Sequence, residues 1–220
     1  MDTPRIPVYF MPGMAASPLI FENIRLPEDR FEIHYLEWML PLENESLKNY
    51  ALRMCVHIKH EAPVLIGVSF GGMLVQEMVA YVNPRKVIII SSVKCREELP
   101  AKMLFARYTR AYKLLPTGLI NNVELLAKYA FGEAVTKRIQ LYEKYLSVRN
   151  KKYIDWAIDA IVCWDRDEIL PGIIHIHGDK DPVFPIARIK DCIRIDKGTH
   201  IMIINRYKWF NEHLSSLIEN

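Results

Sequence analysis

The chain has 220 residues, half of them apolar and a quarter charged, with a mean hydropathy of +0.01. That is one globular domain, or one domain carrying an insertion, with ample material for a core. No run of ~18 apolar residues exists to span a bilayer, and a net charge of +3 is too small to argue for nucleic acid. Cys55, Cys95, Cys163 and Cys192 lie far apart, with no metal-ligand spacing. No signal-like apolar region follows Met1-Asp2-Thr3-Pro4-Arg5. The expectation is a cytoplasmic protein with reduced thiols and no metal.

Residues 7–11 (PVYFM) read as a short strand ending at Pro12-Gly13. Ser17 then caps a helix through Ile24, with Pro18 at its first position. Residues 31–36 alternate with period two, as a strand does. Residues 44–60 read as an amphipathic helix with Leu47, Ala51, Met54, Cys55 and Ile58 on one face. A buried strand at 64–66, a helix over 70–82 stopping at Asn83-Pro84, and a continuous apolar strand at 86–91 follow. This alternation predicts a parallel sheet with right-handed crossovers.

From 96 to 164 there is no strand pattern, only helical segments broken at Leu115-Pro116-Thr117-Gly118 and near Asn150. Ile154, Ile158 and Ile161 mark one face of the last of these. Strands return at 172–177 and 192–195, and a final helix runs from about Ile201. We expect a core made of 1–95 and 165–220, with 96–164 inserted as a helical cap over one sheet edge.

Gly67-Val68-Ser69-Phe70-Gly71 lies between a strand and a helix. A serine at such a turn is held in strained backbone with its hydroxyl exposed. Strand and helix pass so close that the positions two before and two after it must lack side chains, which Gly67 and Gly71 satisfy. The free N–H groups of the new helix face the same spot and favour a developing negative charge there. His177-Gly178-Asp179-Lys180-Asp181-Pro182 and Gly198-Thr199-His200 also follow strands. The C-terminal edge of an open α/β sheet is where active sites form, and Ser…Asp…His is a known triad order.

With GVSFG, HGDKDPVFP, GTH and the N-terminal MPGMAAS, the chain resembles the α/β-hydrolase superfamily over nearly its whole length. The resemblance implies a minimal, mostly parallel sheet of about six strands. It implies Ser69 as nucleophile, Asp181 as acid and His200 as base. It also implies that the backbone N–H groups of Phe70 and Met14 form the oxyanion hole. The usual His-Gly of that last segment is Pro-Gly here, which keeps the backbone donor. Asp179 is the alternative acid, but Asp181 fits the family spacing. Gly13, Met14, Met39 and Phe70 are the candidate substrate contacts, with Met73 as either lining or core.

His177 is expected to make a turn hydrogen bond at a strand end. His175 and His34 are expected to pack on strands, and His57, His60 and His213 to sit on surface helices without a role. Residues 94–152 hold 13 Lys or Arg against 5 Glu, a net +8 that leaves the rest of the chain at −5, and tyrosines at 108, 112, 129, 142 and 145 fall in the same stretch. A basic cap over a serine site favours an anionic substrate; the alternative is ordinary solvated helix faces. The expected activity is hydrolysis of a small carboxylic ester or thioester through an acyl-enzyme, with no cofactor. The alternatives are a C–C bond hydrolase or lyase of the menaquinone-pathway kind, or a non-catalytic small-molecule-binding protein of the same fold. Neither the oligomeric state nor the leaving group is encoded legibly.

Overall fold

The structure is a computed structural model that describes residues 4–114 and 144–220. Six strands form one sheet: β1 (Ile6–Met11), β2 (Phe31–Tyr35), β3 (Val64–Val68), β4 (Lys86–Ile90), β5 (Ile174–Gly178) and β6 (Ile193–Ile195). Their order is β2-β1-β3-β4-β5-β6, and every pairing is parallel. β3 is buried along its whole length and β4 along all but its first residue. That explains their unbroken Val/Ile/Leu runs, since both faces are covered.

The described helices are α1 (Leu47–Met54), α2 (Phe70–Met78), α3 (Ala101–Thr109), α4 (Lys151–Val162), α5 (Met202–Asn205) and α6 (Tyr207–Glu219). α1 packs on α2, and α2 packs on β3 and β4. α6 is fastened to the sheet where Lys86 Nζ donates to the Leu217 carbonyl at 3.1 Å.

Several boundaries differ from the sequence reading. The 44–60 helix shrinks to α1 plus a 3₁₀ turn, Cys55–His57. Asn44 stands at φ 53°, and Ser46 accepts the Asn49 N–H at 3.2 Å, so the helix begins only at Leu47. Ser17 does not cap a helix. Its side chain makes no cap bond, and Pro18–Phe21 is a single 3₁₀ turn. α2 ends at Met78 and tightens through Tyr81 and Val82 N–H bonds to the Met78 carbonyl before Asn83-Pro84. The C-terminal helix divides into α5 and α6 at Arg206, whose φ of −117° leaves the helical region.

Between 96 and 164 the described residues contain helices and no strand. Tyr153, Ile154, Ala157, Ile158 and Val162 form the buried face of α4, while Ile161 is half-buried. The two ends of this stretch meet: Arg96 N–H donates to the Arg166 carbonyl at 2.7 Å, and Arg96 pairs with Asp167 at 2.8 Å. The expected break at 115–118, together with Tyr129 and Tyr142, lies outside the described residues. Among the described residues no helix is long and apolar enough to cross a membrane.

Candidate active site

The sheet order creates the site. From β1 the chain moves outward to β2, and from β3 it moves the other way to β4, so β1 and β3 flank a switch point. In open α/β sheets ligands bind beyond the strand ends at such a point. Met11 of β1 is level with Gly67 of β3, which sets Pro12-Gly13 beside Val68-Ser69. A Cβ added to Gly13 would stand 3.4 Å from the Ser69 Cβ.

Ser69 itself has φ 53° and ψ −120°, a conformation that costs an L-residue roughly 1–3 kcal/mol. Its neighbours hold it there. Ser69 N–H donates to the Ile90 carbonyl at 2.9 Å, and the Ser92 hydroxyl donates to the Ser69 carbonyl at 2.7 Å. A side chain at 67 would overlap the Gly71 carbonyl, and one at 71 would overlap the Pro12 and Met11 carbonyls. The Ser69 carbonyl takes the N–H groups of Gly72 and Met73. Phe70 and Gly71 thus stand in the opening turn of α2, where backbone donors have no intrahelical partner.

His200 is delivered by the turn after β6, Asp181 by the turn after β5. These turns close on each other at Gly178 and Gly198, where a Cβ on Gly178 would collide with the Gly198 carbonyl. His200 Nε2 lies 2.9 Å from Ser69 Oγ. His200 Nδ1 lies 2.9 Å from Asp181 Oδ2 and 3.1 Å from Oδ1. Asp181 Oδ1 also accepts the N–H groups of Val183 at 2.8 Å and Phe184 at 3.0 Å. Both Asp181 and His200 are buried, and Ser69 is half-buried. Burial pushes the Asp181 carboxyl up, but the charge and hydrogen bond of His200, with the Phe184 N–H and His177, together hold it below the ordinary aspartate value. Asp179 makes a different bond, accepting from Arg194 at 3.2 Å.

Behind Asp181 stand two buried imidazoles. His177 Nε2 is 2.8 Å from the Phe184 carbonyl, which can only accept, so that nitrogen carries the proton. His177 Nδ1 then accepts from His175 Nε2 at 3.0 Å. Desolvation holds both rings neutral: it lowers His177, and with His177 and Lys94 nearby it lowers His175 to about 2. His177 thus makes the bond expected of it, and His34 is half-buried on β2.

Side chains that local sequence did not single out hold the 13–16 loop. Trp38 Nε1 donates to the Gly13 carbonyl at 2.8 Å, and the Tyr153 hydroxyl accepts the Ala15 N–H at 3.4 Å. Among the described residues no peptide bond is cis, so the Gly13 carbonyl and the Met14 N–H point opposite ways from one peptide plane. Fixing the first aims the second. Trp38 also stacks on Phe70 at 4.9 Å and 8°. Met39 is fixed by Tyr50, whose hydroxyl donates to its carbonyl at 3.0 Å. Met14 is partly buried against the core, and Met73 is fully buried within it. Trp38 sits in a loop with no periodicity to mark it, and helical spacing places Tyr153 on the buried face of α4 without showing that its hydroxyl reaches Ala15.

No protein-family model matches the chain, and no curated protein sequence does. Solved structures do. A bromoperoxidase from Bacillus anthracis is similar at TM-score 0.74 and 17% identity, covering 100% of this chain and 94% of its own. An enol-lactonase from Burkholderia xenovorans LB400 matches at 0.74 and 12%, covering 99% and 93%. A thermophilic esterase from Thermogutta terrifontis matches at 0.71 and 14%, covering 100% and 92%. At these identities the likeness establishes the fold, and the fold is that of the α/β-hydrolases.

Proposed function

We propose that this chain of α/β-hydrolase fold is a serine hydrolase cleaving a small carboxylic ester or thioester. The observation that carries the reading is the continuous line from Ser69 Oγ through His200 to Asp181, each link at 2.9 Å. The likeness to a solved esterase and a solved enol-lactonase supports hydrolase chemistry.

In this reading neutral His200 takes the Ser69 proton at Nε2 as Oγ attacks the acyl carbon. Asp181 keeps the Nδ1 proton in place and balances the imidazolium. The N–H groups of Phe70 and Met14 hold the oxyanion, each worth about 3–4 kcal/mol in the transition state. His200 then gives its proton to the leaving group, and the acyl group stays on Ser69. Water, deprotonated by His200, attacks the acyl carbon and releases the acid. Every step uses this chain's groups and water alone.

The substrate pocket of the proposal is built around Gly13, Met14, Met39 and Phe70; Trp38 and Trp156 pack on Phe70, and bulky rings beside the nucleophile favour short acyl groups in this reading. p-Nitrophenyl esters of graded chain length, run beside acyl-CoA thioesters, test this. Short acyl groups should turn over fastest, and Ser69→Ala should cut kcat by about 10⁶-fold. Ser69→Ala retaining wild-type turnover would refute the reading.

A further inference from the structure

Glu32 and His34 lie two residues apart on the edge strand β2 and therefore share one face of the sheet. His60 comes to the same place from the connection between α1 and β3; it is not on a helix, contrary to the sequence expectation. His34 Nε2 is 3.1 Å and His60 Nε2 3.9 Å from Glu32 Oε1. One donor atom from each of the three residues lies within 4.8 Å of the other two. We propose that Glu32 Oε1, His34 Nε2 and His60 Nε2 bind one divalent transition-metal ion of the zinc type, which ties the edge strand to the connection leading into β3.

The donor set selects the metal. Two imidazoles and one carboxylate suit Zn²⁺ and its neighbours, whereas Ca²⁺ and Mg²⁺ call for oxygen ligands. Tetrahedral bonds of about 2.0–2.1 Å place ligand atoms about 3.3 Å apart. The two contacts to Oε1 bracket that value. All three side chains are half-buried at the sheet edge, so a small closing motion completes the set. Water takes the fourth position. His34 Nε2 is shielded from solvent and stands 3.1 Å from Glu32 Oε1, within ion-pair range. A cation between the two atoms resolves that contact.

The surroundings orient the ligands. Tyr9 Oη lies 2.7 Å from His60 Nδ1 and accepts the Lys59 N–H at 3.0 Å. Its two lone pairs can take both N–H groups. With metal bound, His60 would carry its proton on Nδ1, donate it to Tyr9 Oη and turn its Nε2 pair toward Glu32, as metal-binding histidines do. The Tyr9 ring stacks on His34 at 4.6 Å and 19°. Arg5 contacts Glu32 through Oε2 at 3.3 Å and leaves Oε1 open. None of these side chains belongs to the Ser69 site.

The test titrates chelator-treated full-length protein with zinc sulfate by calorimetry, and follows histidine ring signals by NMR. One Zn²⁺ per chain is expected, shifting the His34 and His60 resonances. His34→Ala and His60→Ala should each weaken binding at least about 10-fold, and Tyr9→Phe about 10-fold through the lost orienting bond. Ester turnover should stay unchanged in the two histidine variants, which also reports their folding. Glu32→Gln, half-buried at the edge, gives a further variant whose affinity should fall. Absence of zinc uptake by the wild type would overturn the proposal. So would uptake that leaves the His34 and His60 signals unmoved, or affinities equal to wild type in both histidine variants.

Discussion

Ser69 is the one residue whose backbone, hydroxyl and neighbours all answer to a single geometry, with φ 53° and ψ −120° and Oγ 2.9 Å from an imidazole. Asp181 is the partner that fixes which tautomer of that imidazole exists. Asp181→Asn keeps the shape but presents a donor where an acceptor is needed, so kcat should fall by about 10⁴ with KM little changed. Steady-state kinetics on a p-nitrophenyl ester reads this directly. His175 and His177 make a separate claim, about pH. Their pKa values are lowered in the folded chain by desolvation, His175 to about 2, against an ordinary 6.5. Below about pH 6.5 the unfolded chain therefore binds protons that the folded chain does not. Stability should fall as pH drops below 6.5, by up to about 1.4 kcal/mol per pH unit from His175 down to its folded value of about 2, with His177 adding in the same direction. Denaturant unfolding at pH 7 and pH 5 checks it, and His175→Gln should flatten the slope.

At the scale of elements, the 13–16 loop depends on distant side chains. Trp38→Phe removes the bond to the Gly13 carbonyl but keeps an aromatic face for Phe70. We expect kcat to drop about 10–100-fold through a misaimed Met14 N–H, with KM nearly constant. The β1–β3–α2 junction is tighter still. Gly71→Ala would drive a methyl group into the Met11 and Pro12 carbonyls, and should cost on the order of 3 kcal/mol in a denaturant titration. This junction was legible in the sequence because its causes are local: two glycines spaced about one serine between an apolar run and a helix. The six strands were legible for the same reason, through unbroken or alternating apolar runs. Helix ends were not. The start of α1 turns on Asn44 entering the left-handed region, and the 3₁₀ turn at Pro18 carries the same residue signals as a capped helix. Trp38, Tyr153 and the Glu32–His34–His60 group were invisible because each is assembled by contacts between residues far apart in the chain.

For the whole molecule, the question is how the stretch 96–164, which we propose is an inserted cap, is held to the rest of the chain. Its return is anchored on α2: Glu77 Oε1 accepts from Trp164 Nε1 and Arg166 Nε, both at 3.0 Å. Glu77 is 5% exposed, so removing its partner strands a carboxylate out of water. Arg166→Ala should destabilise by about 3–5 kcal/mol and speed proteolysis within 96–164. Our proposed division of the chain, with that insertion as a cap, stands or falls on such cleavage leaving 1–95 and 165–220 associated. We propose a test of whether the net charge of +8 over residues 94–152 serves an anionic substrate. If so, KM for an acyl-CoA should rise steeply with salt while KM for a neutral ester stays flat; parallel behaviour would favour plain solvated helix faces.

The central claim is that Ser69 is the nucleophile of a working Ser–His–Asp line. Its most direct test is labelling with a fluorophosphonate, with the adduct located by mass spectrometry. The account predicts one adduct, on Ser69, strongly slowed in His200→Ala and gone in Ser69→Ala. Labelling of Ser69→Ala at the wild-type rate, or a wild-type adduct on another residue, would contradict it.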